Sequence, residues 1–387
     1  MYNFDEIVDR AGTFSSKWNT QKDELPMWVA DMDFKAAPEI LDTLKERLDK
    51  GTFGYSHIPD EWAEAISIWW QTRHNVKFKT EWAVFCTGVI PAISSAIRKF
   101  SKVGDKILVQ SPVYHVFYRA ITNNDRQIVQ NELLYDGDAY SIDFNNLEQK
   151  LSDPLTKMMI LCNPHNPIGK IWSKDELKRI GELCLKHNVL VVSDEIHCDI
   201  TDPCRHYTPF AGICDEFAQN SLTCISPTKA FNIAGLQSSA IIAPNDTLRR
   251  QIQQAVYADD IGEPNSFAIV AAVTAFTKGS AWLDEMNAYV SENKRIVDKF
   301  IKDESLPVHL VRCEATYLLW LDCSAFCDDA TQFTKFLREK TGLWLNDGNI
   351  YRSDRAFVRM NIATQRSRLL EGLKRLKNGI NLYKLAK

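Results

Sequence analysis

Short apolar runs of the kind that form buried strands alternate along the chain with segments of helical periodicity. The clearest unit lies in the middle, where residues 158–162 predict a strand and Ser173 and Glu176 form a capping-box pattern that opens a helix. A second apolar run, residues 189–194, ends in Asp194, as expected for a buried parallel strand that delivers a side chain at its carboxyl end. The alternation predicts an α/β fold with a largely parallel sheet flanked by helices.

The pattern changes in the last third of the chain. Residues 282–300 predict a long helix, and strand-like runs follow near 309–321 and 356–362. This order indicates a smaller α+β domain after the α/β part, with a boundary near residue 280.

Composition and charge argue against several classes of protein. The chain has 387 residues, of which 45% are apolar and 25% charged, enough for a large core and more than one domain. A net charge of −4 and a pI near 6.1 offer no basic surface for nucleic acid, and we find no membrane span or signal peptide. The ten cysteines contain no Cys-x-x-Cys pair, so we expect reduced core thiols in a cytoplasmic protein and no metal site.

Two residues together suggest a site for pyridoxal 5'-phosphate (PLP). Lys229 follows a Ser-Pro-Thr sequence, and a lysine amine can hold an aldehyde cofactor as a Schiff base. Asp194 ends a predicted buried strand, where its carboxylate can keep a pyridine nitrogen protonated and make the ring an electron sink. Taken singly, Lys229 is one of many solvated lysines and Asp194 is a helix cap or surface acid, so the hypothesis depends on the pair.

Hydrogen-bond donors suited to a phosphate occur in two segments. Residues 87–92 pass from a predicted strand into a helix, and Gly88 permits close backbone approach there. Free amides at a helix N-terminus attract anions, although a plain strand-to-helix turn would also explain this segment. Ser226 and Thr228, beside Lys229, offer hydroxyl groups to the same phosphate.

Three further side chains are candidates at the same sheet edge. Tyr114 follows a predicted strand and could stack on a flat cofactor, with core packing as the alternative. Asn166 lies in a turn after residue 162 and could face a phenolic oxygen, although turn chemistry alone accounts for the segment. Arg359 alternates with apolar neighbours on a predicted strand, where its guanidinium needs either a substrate carboxylate or a structural salt bridge.

Together these residues resemble the fold-type I PLP enzymes, and within them the MalY/PatB-type cystathionine β-lyases and related carbon–sulfur lyases. The resemblance spans nearly the whole chain. Residues 25–34 point most to this subgroup, and residues 53–55 and 194–197 support it. The lysine, aspartate, asparagine and arginine positions are shared with class I/II aminotransferases.

The resemblance implies a homodimer with active sites at the subunit interface. An N-terminal arm (1–45) would contribute to the small domain, residues 46–280 would form the large PLP-binding domain, and residues 281–387 the small C-terminal domain. Lys229 would hold the cofactor, Asp194 would pair with its pyridine nitrogen, and Arg359 would bind the α-carboxylate of an amino-acid substrate.

The resemblance also implies three sets of site residues. The catalytic set is Lys229, Tyr55 and Tyr114. The cofactor-binding set is Lys229, Asp194, Asn166, His197, Tyr114, Gly88, Val89, Ile90, Ser226, Thr228 and Tyr55, the last supplied by the partner subunit. The substrate-binding set is Arg359, Asn166, Ala30 and Asp31.

Two positions depart from the usual aminotransferase pattern. Three residues after Asp194, where many of those enzymes have a tyrosine, this chain has His197, which is typical of the lyase subgroup. Eight residues after Lys229, where many relatives have an arginine, it has Gln237. We therefore expect the phosphate to be less fully neutralised here.

The function implied is cleavage of L-cystathionine, and of cysteine or related S-substituted cysteines, by α,β-elimination to a thiol, pyruvate and ammonia. An aminotransferase that uses nearly the same residues is the main alternative. A serine acyl-enzyme ranks lower: Ser226 and Lys229 fit Ser-x-x-Lys and residues 340–342 fit Lys-Thr-Gly, but the Ser-Asp-Asn element is missing. A role as a regulatory binding protein also stays open.

Overall fold

The architecture is that of alternating strands and helices, seen in a computed structural model that describes residues 2–386. The strands are β1 (Leu25–Pro26), β2 (Ala83–Cys86), β3 (Lys106–Ser111), β4 (Gln127–Glu132), β5 (Leu134–Tyr135), β6 (Tyr140–Ser141), β7 (Thr156–Cys162), β8 (Leu190–Asp194), β9 (Ser221–Ile225), β10 (Ser239–Ile242), β11 (His309–Leu310), β12 (Leu318–Asp322), β13 (Leu343–Trp344), β14 (Asn346–Asp347) and β15 (Phe357–Asn361). The α-helices are α1 (Pro38–Asp49), α2 (Asp60–His74), α3 (Val89–Phe100), α4 (Val116–Thr122), α5 (Phe144–Leu151), α6 (Lys174–Lys186), α7 (Asp215–Gln219), α8 (Asp246–Ala258), α9 (Ala268–Lys278), α10 (Ser280–Asp303), α11 (Ala330–Thr341) and α12 (Arg366–Ala386).

A seven-stranded sheet in the order β2-β10-β9-β8-β7-β3-β4 forms the centre of the molecule. Strand β10 runs antiparallel to both of its neighbours, and the remaining pairs are parallel. Every residue of β8 and β9 is buried, because helices cover both faces of the sheet and leave no polar side to the strands. The predicted α/β fold with a largely parallel sheet is confirmed.

The local signals for the middle unit are also confirmed. Ser173 accepts from the backbone N–H of Glu176, and the Glu176 carboxylate accepts from the backbone N–H of Ser173, which closes the capping box at the start of α6. The apolar face of α6, with Leu177 and Ile180, is buried against the sheet core. Strands β7 and β8 therefore lie side by side, with Cys162 paired to Asp194 at their carboxyl ends.

A second, antiparallel sheet in the order β11-β12-β15-β14 lies in the C-terminal region. The predicted strand region 309–321 is divided, because a loop separates β11 from β12 and Thr316 in that loop adopts a left-handed φ of 67°. Strand β1 pairs in parallel with β13, so the N-terminal segment packs on the C-terminal region. The segment after β1 includes Ala30, whose carbonyl oxygen accepts hydrogen bonds from Lys229, which follows β9, and from Tyr317, which precedes β12.

The ten cysteines form no disulfide within residues 2–386, and seven of them are buried. Within residues 2–386, no helix has both the length and the apolar character required to cross a lipid bilayer.

Candidate active site

A cavity of about 230 Å³ opens where β7 and β8 end and α3 begins. Parallel strands direct their carboxyl ends to one sheet edge, which is where ligands bind in open α/β sheets. The residues that line it are Ala30, Thr87, Gly88, Val89, Ile90, Pro91, Tyr114, Cys162, Asn166, Asp194, Ile196, His197, Thr228, Lys229 and Ala234. A larger groove of about 970 Å³ at the surface near α11 contains none of the predicted site residues.

Lys229 enters the cavity from the turn after β9. Its Nζ donates to the carbonyl oxygen of Ala30 at 2.6 Å. Burial lowers the pKa of the Lys229 amine to about 8, although the Asp31 carboxylate opposes part of this change. A substantial fraction of the amine is therefore neutral, and nucleophilic, near physiological pH.

Asp194 faces the same cavity from the last position of β8. Its side chain is buried and accepts one backbone N–H, that of Ile196, at 3.1 Å. Burial raises the pKa of the Asp194 carboxyl to about 7. A buried carboxyl group with so few hydrogen-bond partners is stabilised in its ionised form by a nearby buried cation. Its burial also excludes the alternative that Asp194 is a surface acid.

His197 follows on the turn after β8 and is equally buried. Burial lowers the pKa of its imidazole to about 3, so the ring is neutral. Its Nδ1 atom has no hydrogen-bond partner among the described residues. A buried ring nitrogen without a partner would be stabilised by a hydrogen bond to a polar ligand atom.

Arg359 and Asn166 are joined by a hydrogen bond beside the cavity. The Arg359 Nη1 donates to the Asn166 Oδ1 at 3.1 Å, and its Nη2 donates to the Trp28 carbonyl oxygen at 2.8 Å. The Arg359 Nε is buried and unpartnered, and within residues 2–386 no carboxylate lies at ion-pair distance from this guanidinium. The structural salt bridge considered for Arg359 is thus not formed, and the charge is left for a ligand.

The N-terminus of helix α3 at the cavity can bind an anion. Helix α3 begins at Val89 with Gly88 as its N-cap, and no side chain caps its first-turn amides. Thr228 lines the same cavity. Ser226 does not line it, because its hydroxyl donates to the Ser238 carbonyl oxygen at 2.6 Å and lies 2.6 Å from the Thr228 Oγ1.

Other predicted residues lie outside the lining. Tyr55 is fully exposed, on a stretch without regular secondary structure. Gln237 is also exposed. The Asp31 carboxylate is held by Arg10 through two hydrogen bonds of 2.7 and 2.8 Å. Tyr114 does line the cavity, with its ring edge-on to Phe117 at 5.7 Å between centroids.

Sequence reasoning missed several residues at the site. Cys162 and Ile196 line the cavity. Their positions at or just after the carboxyl end of a strand could have identified them from the sequence. Tyr317, whose hydroxyl donates to the Ala30 carbonyl oxygen at 3.2 Å, gave no local signal. Its proximity to the cavity depends on the packing of the C-terminal sheet.

The family model for aminotransferase class I and II matches residues 25–376. The chain belongs to this family. It is 42% identical to the cystathionine beta-lyase PatB of Bacillus subtilis (strain 168), over 98% of this chain and 100% of that protein. Its fold superposes with a TM-score of 0.95 on a PLP-bound protein from Clostridium difficile 630 that is provisionally described as an aminotransferase, with 43% identity over 98% of this chain and 100% of the other.

A second solved structure extends the similarity. Cystalysin from Treponema denticola, which contains a pyridoxal 5'-phosphate cofactor, has a TM-score of 0.95 and 33% identity over 98% of this chain and 99% of that chain. The resemblance to PatB-type lyases and the fold-type I PLP-dependent transferase fold are both confirmed.

The serine acyl-enzyme alternative finds no support in the geometry. Gly342 ends α11 with a left-handed φ of 69°, a backbone conformation that favours glycine at a helix C-terminus. Lys340 is exposed in the last turn of that helix, and the hydroxyl of Ser226 is occupied as described above. The Lys-Thr-Gly match is therefore explained by helix termination.

One group within residues 2–386 brings three potential metal ligands together. Single atoms of His74, Cys198 and Asp199 lie within 4.8 Å of one another. The Asp199 Oδ1 already accepts from the Trp69 Nε1 at 3.0 Å and lies 3.0 Å from the His74 Nε2. Protein groups thus account for this cluster, and the absence of a metal site stays a prediction.

Proposed function

We propose that this protein is a PLP-dependent carbon–sulfur β-lyase that cleaves L-cystathionine, and related S-substituted cysteines, to a thiol, pyruvate and ammonia. The observation that carries the proposal is that a lysine with a lowered pKa, a buried carboxyl and an uncapped helix N-terminus meet in one cavity. The chain is also 42% identical to a cystathionine beta-lyase over nearly its full length.

The residues present fit PLP. Lys229 supplies the amine for the aldehyde, and Asp194 supplies a buried carboxyl group that forms no ion pair within residues 2–386. The Asn166 Oδ1 faces Arg359, which leaves its amide N–H groups to donate to a phenolic oxygen. The first-turn amides of α3 and the Thr228 hydroxyl would hold the phosphate.

The phosphate would be held mainly by neutral donors. Within the described part of the chain, Lys229 is the one cationic side chain that lines the cavity. Gln237 is exposed and lies outside the lining. We therefore propose that helix α3 and Thr228, rather than an arginine, provide most of the phosphate affinity.

When bound, PLP supplies an electron sink for the electron pair released at the substrate α-carbon. Asp194 keeps a proton on the ring nitrogen, because the ionised carboxylate is stabilised by that charge in a buried site. Arg359 binds and orients the substrate α-carboxylate. The free amine of Lys229 takes the α-proton, and the resulting ammonium can give a proton to the departing sulfur.

We also propose that the enzyme is a homodimer and that Tyr55 completes the site of the other subunit. Residues 51–55 are exposed, with Phe53 57% and Tyr55 100% accessible, which is unusual for large apolar and aromatic side chains. Burial against a second copy would remove this surface from water. The division into an N-terminal arm (1–45), a large domain (46–280) and a small domain (281–387) remains part of this proposal.

A cytoplasmic location is proposed as well. None of the ten cysteines, including the exposed Cys204, forms a disulfide within the described part of the chain, which suits a reducing compartment.

An absorbance spectrum of the purified protein with added PLP tests the cofactor assignment. We expect the visible absorbance band of PLP bound to a lysine, which makes the protein yellow. The band should be retained in Lys170→Ala and lost in Lys229→Ala. The control removes a partly buried lysine that pairs with Glu176 and does not line the cavity. A Lys229→Ala protein that keeps the band would contradict the assignment.

Aminotransferase activity is the second candidate, favoured by the similarity to the Clostridium difficile structure. It would use the same lysine, carboxyl and arginine but would pass the amino group to a 2-oxo acid. Formation of a new amino acid from L-cystathionine and a 2-oxo acid, without pyruvate or free thiol, would favour it over the lyase.

A further inference from the structure

Residues 28–34 form a segment without regular secondary structure, and side chains from other parts of the protein hold it in place through its backbone carbonyl groups. The donors come from distant parts of the chain, so the segment is fixed by tertiary contacts and not by a strand ladder. Trp28 O accepts from Arg359 and Asn346, Val29 O from Asn361, Asp31 O from Asn361 and Lys17, Met32 O from Arg10 and Asn232, and Phe34 O from Asn232.

The carbonyl of Ala30, in the middle of this segment, differs from the others because it faces the cavity. It accepts from the Lys229 Nζ at 2.6 Å and from the Tyr317 hydroxyl at 3.2 Å. An i+2 hydrogen bond from the Asp31 N–H to the Val29 carbonyl, at 2.9 Å, turns the backbone at Ala30. One carbonyl thus joins the lysine to a tyrosine of the C-terminal region.

Tyr317 is held firmly enough to direct that carbonyl. Its side chain is fully buried, and its own carbonyl accepts from the Ile362 N–H at 2.9 Å. Burial raises the pKa of the Tyr317 phenol far above its usual value, so the group remains a hydrogen-bond donor. Its ring lies edge-on to His197, with the centroids 6.3 Å apart.

We propose that Tyr317 is a positioning residue whose hydroxyl orients the Ala30 carbonyl so that this oxygen receives and places the free amine of Lys229. The inference rests on the proposed function, because it takes Lys229 as the base of the reaction. The amine acts as a base only when it is free, and its rotatable side chain then needs an acceptor that fixes its position. The Ala30 carbonyl is the one acceptor that Lys229 contacts within residues 2–386.

Charged groups on several elements also face the Lys229 amine. The Asp31 and Asp194 carboxyls favour its protonated form and the Arg359 guanidinium disfavours it. Removal of the Tyr317 hydroxyl leaves all three in place. A change in the apparent pKa of Lys229 in Tyr317→Phe therefore reports on the position of the Ala30 carbonyl.

The test compares Tyr317→Phe with Tyr118→Phe. Tyr118 is a matched control because it is buried and donates to a backbone carbonyl, that of Tyr351, at 2.9 Å, but does not line the cavity. In the cofactor-free proteins, the rate of PLP capture would be measured from pH 7 to 10 to obtain the apparent pKa of Lys229. In the PLP-loaded proteins, kcat and KM for pyruvate formation from L-cystathionine would be measured.

We expect Tyr317→Phe to lower the apparent Lys229 pKa by about half a unit or more, because the ammonium loses its oriented acceptor. We expect kcat to fall roughly 10- to 100-fold with KM within about threefold, since a misplaced base slows the proton transfer. Tyr118→Phe should leave both the apparent pKa and kcat unchanged.

A Tyr317→Phe protein with the apparent pKa and kcat of the wild type would overturn the proposal. Equal losses in both variants would also overturn it, because they would indicate general loss of packing. Failure of the wild-type protein to capture PLP or to form pyruvate would instead refute the proposed function, and the wild-type measurements show this separately.

Discussion

Replacement of Asp194 by asparagine should stabilise the cofactor-free protein in a pH-dependent way while it damages catalysis. Burial raises the pKa of this carboxyl from 3.8 to about 7. Between these two pH values the folded protein keeps the proton and the unfolded chain has lost it, so stability falls as pH rises. The gap of about three pH units, at about 1.4 kcal/mol each, costs the folded wild type ~4 kcal/mol at pH 8.

Asparagine has nearly the same shape and does not ionise, so it avoids this cost. About half of the cost is already present at pH 5.5. We therefore expect the advantage of Asp194→Asn in free energy of unfolding to grow by ~2 kcal/mol between pH 5.5 and pH 8. Saturating PLP should reduce or reverse the advantage, because the ring nitrogen gives the ionised carboxylate a partner. We expect kcat/KM to fall roughly 100- to 1000-fold.

Urea denaturation of both proteins at pH 5.5 and pH 8, at equal protein concentration and with and without PLP, gives the required free energies. Tryptophan fluorescence can follow unfolding, since the chain has ten tryptophans. The reasoning is refuted if the difference between the proteins is the same at both pH values, or if asparagine becomes relatively less stabilising as pH rises.

Three further expectations concern the rest of the site. Arg359→Ala should lower kcat/KM roughly 100-fold without loss of the PLP absorbance band, because the α-carboxylate loses a charged partner; a band lost together with activity would place Arg359 in cofactor binding instead. Thr228→Val should raise the Kd for PLP roughly tenfold, whereas Gln237→Ala should change it less than about threefold. Fluorescence titration measures both values, and the reverse order would contradict our assignment of the phosphate donors. Tyr55→Ala should change the thermal unfolding temperature of the dilute monomer by less than about 1 °C, because the side chain is fully exposed. The same variant should have lower activity at concentrations that support a dimer, and unchanged activity would count against the shared site.

Local sequence signals predicted the parts of the site that lie on regular elements. Asp194 at the end of an apolar run, and Gly88 before a helix with Pro91 in its first turn, have positions determined by short-range strand and helix rules. The capping box at Ser173 belongs to the same class. Each pattern is contained within a few residues and largely determines the local backbone conformation.

Other features depend on contacts that no local pattern encodes. The bond between Lys229 and the Ala30 carbonyl joins residues 199 positions apart, and the approach of Tyr317 depends on how the second sheet packs. Ser226 was predicted beside the phosphate from its place near Lys229, but the turn directs its hydroxyl to the Ser238 carbonyl. Tyr55 is fully exposed in a single chain, so its proposed role depends on a contact with a second subunit.

The central claim is tested most directly by incubation of the PLP-loaded protein with L-cystathionine, with pyruvate and free thiol measured in the same sample. The account predicts equal amounts of both products and no need for a 2-oxo acid, and predicts that both disappear in Lys229→Ala. Transfer of the amino group to an added 2-oxo acid without release of thiol would contradict it.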